Sequence, residues 1–382
     1  MKIAIMTQPL GKNYGGIMQA WALQKVLKNA GHDPVTIDRQ PDAKSPAYYT
    51  ARFGYRALQQ LLGKRKAPIS FERYLPLILQ QTNRFIEQYL KMSELLDSTA
   101  KLSKHFESEQ YDAVIVGSDQ TWRPCYSPNI GNFFLDFLQG NNIRRIAYAT
   151  SFGVDKWEFS EEETRRCTRL VKHFEAVSVR ESSGVDLCKK HLDVDAFHVL
   201  DPTLLLGRRH YETLYRVADV PAKQGICTYV LDEDKWKSRV VDAVKSILKE
   251  DEYRNQPKAS LTDLASSKDF RDYIMPSLES WVRGFSDASF VVTDSFHGTV
   301  FSIIFNKPFI TLVNPNRGAS RLYSLLSDLG LGERAMEQFD EDKIIKLLGG
   351  GIDFREANER LEFLKRRSAS FLENSLGSKI EL

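Results

Sequence analysis

The chain has 382 residues and a net charge of +3, too small an excess to suggest a nucleic-acid partner, which asks for a basic stripe with interleaved aromatics. Hydrophobic residues make up 42% and charged residues 27%, a globular balance at a length that favours two domains. Cys125, Cys167, Cys188 and Cys227 form no C-x-x-C pair and no zinc-ligand spacing, so a disulfide scaffold and a structural zinc are excluded and a cytosolic compartment is expected.

Lys2–Met6 reads as a buried strand, too short for a secretory h-region, and no later stretch reaches the roughly 18 apolar residues that span a bilayer. The loop Thr7–Tyr14 leads into a helix opening at Gly15-Gly16, with Leu23, Val26, Leu27 and Ala30 at helical spacing before Gly31. Val35–Asp38 is the next strand, so the chain opens as a parallel, doubly wound sheet. Asn13-Tyr14-Gly15-Gly16 sits at this first strand-to-helix crossing. Glycines there would let an anion approach free N–H groups at the positive helix end, with Asn13 as a further donor. A glycine turn with a capping asparagine is the alternative.

Residues 41–110 break the rhythm and read as a helical insertion, with one helix through Asn83–Lys91. Within it, Arg52–Arg73 carries six basic residues (Arg52, Arg56, Lys64, Arg65, Lys66, Arg73) against the single acid Glu72, with Phe53, Tyr55, Leu58, Leu61 and Leu62 interleaved. Segment 52–73 is expected to make a peripheral contact with the inner membrane face. A solvated helical hairpin or a protomer contact would use the same residues.

Strand and helix alternate again through Ala113–Val116, Arg145–Thr150, a helix near Ser160–His173, Ala176–Val179, a helix at Ser182–His191 and Ala196–Leu200. Gly117-Ser118-Asp119-Gln120-Thr121-Trp122 follows the first of these strands. A stacking aromatic beside a carboxylate is sugar-site chemistry, so Ser118, Asp119, Gln120 and Trp122 are candidates for acceptor binding; Asp119 as a cap is the alternative. Arg180 ends the strand Ala176–Val179, and its planar fork suits a carboxylate or phosphate; an ion pair with Glu181 or across domains would also explain it.

The second half reads as a strand at Ile226–Leu231, a helix at Lys235–Leu248, a polar stretch over 249–263 and a helix from Pro276-Ser277. The strand Phe290–Thr293, a helix opened by His297 and the strand Pro308–Val313 follow. In Asp294-Ser295-Phe296-His297-Gly298-Thr299 a buried strand delivers a histidine to a helix start, where Gly298, Thr299 and free N–H groups could receive phosphate. The expected fold is α/β, two Rossmann-like domains facing across a cleft, over 1–200 (with the insertion 41–110) and 201–340. A helical tail, 341–382, is expected to pack back on the N-terminal domain.

Asn13-Tyr14-Gly15-Gly16, Val116-Gly117-Ser118-Asp119-Gln120, Ser178-Val179-Arg180-Glu181, Asp201-Pro202-Thr203, and Asp294-Ser295-Phe296-His297-Gly298-Thr299 with Asn306-Lys307-Pro308-Phe309 resemble, in this order, the polysaccharide pyruvyl transferase family over roughly residues 1–330. The resemblance implies a GT-B-like fold, phosphoenolpyruvate as donor and a saccharide acceptor, lipid-linked or free. It implies no metal and no redox cofactor. It places the general-acid histidine at His297, a donor-binding arginine at Arg180 and the N-terminal asparagine at Asn13. Several members carry a second arginine two residues before the histidine, where this chain has Ser295; Arg317 and Arg321 are the candidates to replace it.

The expected reaction is transfer of a pyruvyl group to a hydroxyl pair of a glycan sugar, giving a cyclic ketal in cell-surface or exopolysaccharide synthesis. Asp119 is the first candidate to deprotonate the hydroxyls and Asp294 the second. A nucleotide-sugar glycosyltransferase is an alternative, but would want a carboxylate for the ribose, and Asp328 reads as helical and solvent-facing. A non-catalytic glycan-binding protein on the same fold is favoured by Ser295 and opposed by His297, Arg180 and Asn13 together.

Overall fold

The computed structural model describes the chain except residues 66–67, 139, 141, 260, 262–266, 315–317 and 381–382. Short runs rich in Val, Ile and Ala build two parallel sheets whose central strands are buried on both faces, as helices on both sides require. The first sheet contains β1 (Lys2–Met6), β2 (Asp33–Arg39), β3 (Met92–Leu96), β4 (Ala113–Gly117), β5 (Arg144–Thr150), β6 (Ala176–Val179) and β7 (Phe197–His198), in the order β3-β2-β1-β4-β5-β6-β7. The second contains β8 (Ile226–Tyr229), β9 (Glu252–Arg254), β10 (Phe290–Thr293), β11 (Phe309–Leu312) and β12 (Ala335–Met336), in the order β12-β11-β10-β8-β9.

Each sheet reverses its winding once. The reversal falls between β1 and β4, paired Ile3 to Ala113 through Met6 to Val116, and between β8 and β10, paired Ile226 to Phe290 through Tyr229 to Thr293. In open α/β sheets a crevice opens beyond the carboxyl ends of such a pair, and ligands bind there.

The helix α1 (Tyr14–Asn29) lies between the two lobes. A surface helix shows one apolar stripe, but every residue of α1 from Tyr14 to Gln24 is buried. One core cluster therefore runs from Ile3 and Ile5 through Tyr14 and Ile17 to Trp281 and Phe301 of the second lobe. Tyr14 stacks on Trp281 with ring centres 5.3 Å apart and donates its hydroxyl to the Pro276 carbonyl at 2.7 Å. Separate clusters pack the outer face of each sheet. The helix Phe354–Leu376 returns to the first lobe, where Leu200 N–H donates to Ser368 Oγ at 2.9 Å and Arg144 Nη1 to the Ser375 carbonyl at 3.1 Å.

The stretch 41–110 is helical only in part. Pro46–Leu61 (α2), Leu75–Ile78 and Gln80–Tyr89 are helices, but β3 and the helix Thr99–Ser108 return to the sheet. β3 is an edge strand with only Leu96 buried, so it lacks the apolar run that marks a central strand. β9, inside the polar stretch, is an edge strand of the same kind. The helices Pro202–Leu205 and Arg208–Val217 fill a segment the periodicity left blank.

Trp122 does not face the crevice, which corrects the expectation that it stacks on an acceptor sugar. It is fully buried, its ring stacks on Phe134 at 4.7 Å, and Nε1 donates to the Phe133 carbonyl at 3.0 Å. An aromatic with both its faces and its N–H satisfied internally is core. Trp122→Ala is expected to lower unfolding stability by about 3–5 kcal/mol, read from urea denaturation. An unchanged midpoint would contradict this assignment.

Candidate active site

Three chain crossings meet at one carboxylate. β6 hands over to Arg180, the passage from the first sheet to the second begins at Asp201, and the helix Phe296–Ile304 brings His297 in its first turn. Asp201 is 1% exposed. Its Oδ1 accepts from the Thr203 N–H at 3.0 Å and the Thr203 hydroxyl at 2.6 Å, capping the helix Pro202–Leu205. Its Oδ2 accepts from Arg180 Nη1 at 2.6 Å and the Ser118 hydroxyl at 3.0 Å, and lies 3.6 Å from His297 Nε2. Burial alone would raise this carboxyl, but His297, Arg180 and Thr203 outweigh it and hold it well below the usual carboxylate range. Arg180 thus pairs with Asp201. The neighbouring Glu181 instead holds the 151–153 loop, accepting from Phe152 N–H at 2.7 Å. Ser118 is fully buried and spent on Asp201, so it is not an acceptor contact as expected.

The glycines have structural reasons that differ from the expected ones. A Cβ on Gly15 would lie 2.0 Å from His297 Nδ1, so Gly15 admits the imidazole from the other lobe rather than an anion. A Cβ on Gly16 would sit 3.3 Å from both Asn13 Nδ2 and Asp119 Oδ2. A Cβ on Gly298 would lie 2.2 Å from Thr293 Oγ1, so this glycine packs the helix on β10. Ser295 caps that helix, accepting the Gly298 N–H at 3.4 Å. Thr299 is fully buried, donating to the Ser295 carbonyl at 3.1 Å and bonded to Thr311 at 2.8 Å. Gly298 and Thr299 are therefore packing residues, not donor contacts.

Between the two points of strand reversal lies a cavity of about 300 Å³. Asn13, Asp119 and Gln120 form one wall, Ser295, His297 and Arg321 the other, and Tyr229, Leu231 and Met275 an apolar floor. Asn13 stands at the N-cap of α1 but makes no side-chain capping bond there. Asp119 has φ +64, a region that Asp tolerates better than most residues. Gln120 is partly engaged, its Oε1 accepting from Arg123 Nη1 at 3.1 Å. Asp294 lies on the wall but is spent: it takes Lys237 Nζ at 2.7 Å and the N–H groups of Leu231 and Asp232 at 2.7 and 3.0 Å. Asp328 is half-buried and 3.6 Å from His198, not solvent-facing.

Two guanidinium groups flank the Phe296 ring. Arg180, one side chain behind the wall, is 4.6 Å from the ring centre, with Nη2 3.9 Å from Asp119 Oδ1. Arg321 is 5.6 Å from the same ring centre. Burial, and next the Arg180 charge, push Arg321 down to about 10. Arg317 lies outside the described residues. Among the described residues, Arg180 Nε and Nη2, Arg321 Nε and His297 Nε2 are buried and without a hydrogen-bond partner. Buried polar atoms without partners are costly, and these four stand together beside the cavity. Sequence reasoning missed Asp201 and Phe296 as parts of the site. Asp201-Pro202-Thr203 enters only among the resembling segments, with no role for Asp201, and a phenylalanine at an apolar helix start reads as core.

The sequence model of the family described as polysaccharide pyruvyl transferase matches residues 13–316. No curated protein matches the chain by sequence. Among solved structures, UDP-N-acetylglucosamine 2-epimerase from Rickettsia bellii is similar at 10% identity and a TM-score of 0.51, over 98% of this chain and 96% of that one. A UDP-glucosyltransferase from Polygonum tinctorium is similar at 11% identity and a TM-score of 0.50, over 98% of each chain. At these identities the likeness is one of fold, the GT-B pair of Rossmann-like halves about a cleft. Since the matched span covers well over half of the chain and contains Asp119, Arg180, Asp201 and His297, the chain belongs to the polysaccharide pyruvyl transferase family, a family of transferases.

Proposed function

We propose that this protein transfers a pyruvyl group from phosphoenolpyruvate to two hydroxyls of a glycan sugar, releasing phosphate and forming a cyclic ketal. One observation carries the reading: His297 and Arg321 line one cavity wall, with hydrogen-bond-free nitrogens of Arg180 directly behind it. The donor is an enol phosphate with a carboxylate, so it brings two anionic ends for two guanidinium groups. At about 300 Å³ the cavity is at the small end of ligand pockets, which favours a three-carbon donor over a nucleotide sugar.

His297 Nε2 gives its proton to the donor's methylene carbon, and C2 becomes an oxocarbenium-like electrophile. Asp119, on the opposite wall, takes the proton of a sugar hydroxyl as its oxygen bonds to C2. The bond from C2 to the phosphate oxygen then breaks, and phosphate departs with the electron pair while Arg180 and Arg321 hold its charge. The second hydroxyl closes the ring on C2. The proton held by Asp119 leaves with phosphate, and the proton of the second hydroxyl restores His297. Arg321 fills the role that Ser295 cannot, and Asp201 holds the imidazole against α1.

Incubation with phosphoenolpyruvate and a panel of hexosides is expected to release phosphate in step with a ketal product. His297→Ala should lower kcat by roughly 10²–10⁴-fold. Stabilisation by UDP but not phosphoenolpyruvate in a thermal shift, with no phosphate released, would replace this reading with glycosyl transfer. Arg321→Ala should raise KM for the donor roughly 10- to 100-fold, the loss of one charged hydrogen bond, with the melting temperature retained. An unaltered KM would remove Arg321 from the donor seat.

A further inference from the structure

None of the 16 residues of α2 is buried. A helix of that length is marginal in water when it packs against nothing. It is tied to the chain behind it through Arg56, whose Nη1 and Nη2 donate to Glu72 at 2.7 and 2.8 Å, and through Arg52, which donates to the same carboxylate. Those arginines mark the protein-facing side. Tyr48, Tyr55, Leu58 and Leu62, spaced by seven, three and four, form an exposed stripe flanking them, with Leu61 beyond it at 86% exposed. α2 contains no acid, and Lys44 and Lys64 flank it.

The helix is mounted on the wall of the cavity. Beyond Glu72, Phe71 packs edge-on against Tyr273 with ring centres 5.1 Å apart, and the Ile78 carbonyl accepts the Met275 N–H at 3.0 Å. Ala259 shares a small core with Phe71 and Ile78, and both Ala259 and Met275 line the cavity.

We propose that α2 lies in the headgroup layer of an anionic membrane with the Tyr48–Leu62 stripe turned into it, presenting the cavity to acceptors carried on that surface. The delivery of acceptors rests on the pyruvyl-transfer reading; the docking does not. Phenol rings with one polar end suit the headgroup level, leucines suit the acyl boundary beneath, and basic side chains meet the lipid phosphates. Glu72 already meets Arg52 and Arg56, and pairing with a second copy would bring the flanking Lys44 and Lys64 together with no acid on α2 to meet them. Among the described residues no helix is long and apolar enough to cross a membrane, so the contact is peripheral.

The test is flotation of the full chain with phosphatidylcholine vesicles, with and without phosphatidylglycerol. Recovery with the anionic vesicles should be roughly tenfold higher, and should fall to background in the double variant Leu58→Glu, Leu62→Glu. Neither side chain is buried, so the variant should keep the wild-type melting temperature and its turnover of a water-soluble glycoside. Equal recovery with both vesicle types, or wild-type recovery by the variant, would overturn the proposal. So would a vesicle-free dimer that the variant dissociates. Flotation needs no donor, so its failure leaves pyruvyl transfer to its own assay.

Discussion

Asp201 is a carboxylate closed off from water and held between Arg180 and His297, side chains from separate elements. Unpaired, such a group would cost several kcal/mol. Here Arg180 at 2.6 Å and His297 at 3.6 Å face one oxygen while Thr203 saturates the other. Arg180 closes a strand of the first sheet and His297 opens a helix of the second, so neutralising this charge also sets the lobes in register. Because one edge of Arg180 is committed to Asp201 and the whole group is buried, its other N–H atoms cannot turn to solvent. They are aimed by the same contact that stabilises them.

The backbone around that contact carries unusual conformations that the surrounding packing enforces. Asp119 at φ +64 and Ala149 at φ +50 are L residues in the left-handed region, each at a cost of about 1–3 kcal/mol. Between them in space, Gly117 at φ +154 passes so close to β5 that a Cβ would lie 1.8 Å from the Tyr148 carbonyl oxygen. The register between β5 and β6 shifts at the same level, between Ala147 and Thr150. These departures cluster at the carboxyl ends of β4 and β5, beneath the cavity wall that carries Asp119. Regular strands would leave that carboxylate on a sheet face; the irregular ends turn the chain out beside Asn13.

The central strands were legible because burial on both faces writes an apolar run. Ala176–Val179 and Phe290–Thr293 stand in the structure as the sequence predicts them, and so does the amphipathic helix Lys235–Leu248. β3 and β9 were hard to read because an edge strand buries little and its alternation is brief, while β7 stands inside the strand expected at Ala196–Leu200. At the site, His297, Asn13, Asp119 and Arg321 do share one cavity, with Arg180 directly behind it. Trp122, Ser118 and Thr299 stood in the same motifs and turned inward. Sequence shows that a polar or aromatic residue sits at a strand end, but not whether the fold already supplies its partner. Phe133 does so for Trp122, Asp201 for Ser118 and Thr311 for Thr299. Asp201 fails in the opposite sense: its capping bond to Thr203 is local and visible in sequence, while its bonds to Arg180 and Ser118 are not.

The serine at position 295 becomes intelligible on the same terms. A residue there is the N-cap of the helix that carries His297, and Ser295 uses its hydroxyl to hold the Gly298 N–H. An arginine at that position would bring a cation but no capping oxygen, at a cost of about 1 kcal/mol to the helix start. The next helix brings the Arg321 guanidinium to the Phe296 ring that Arg180 also faces. The price is proximity: Arg180 stands among the groups that weaken Arg321's hold on its proton, after burial itself. The Arg180 charge is met inside the protein by Asp201 at 2.6 Å and by Asp119 at 3.9 Å, while Arg321 lines the cavity. On the proposed reading, a donor with two anionic ends would meet Arg321 on the wall and Arg180 behind it, a match that a neutral sugar does not offer.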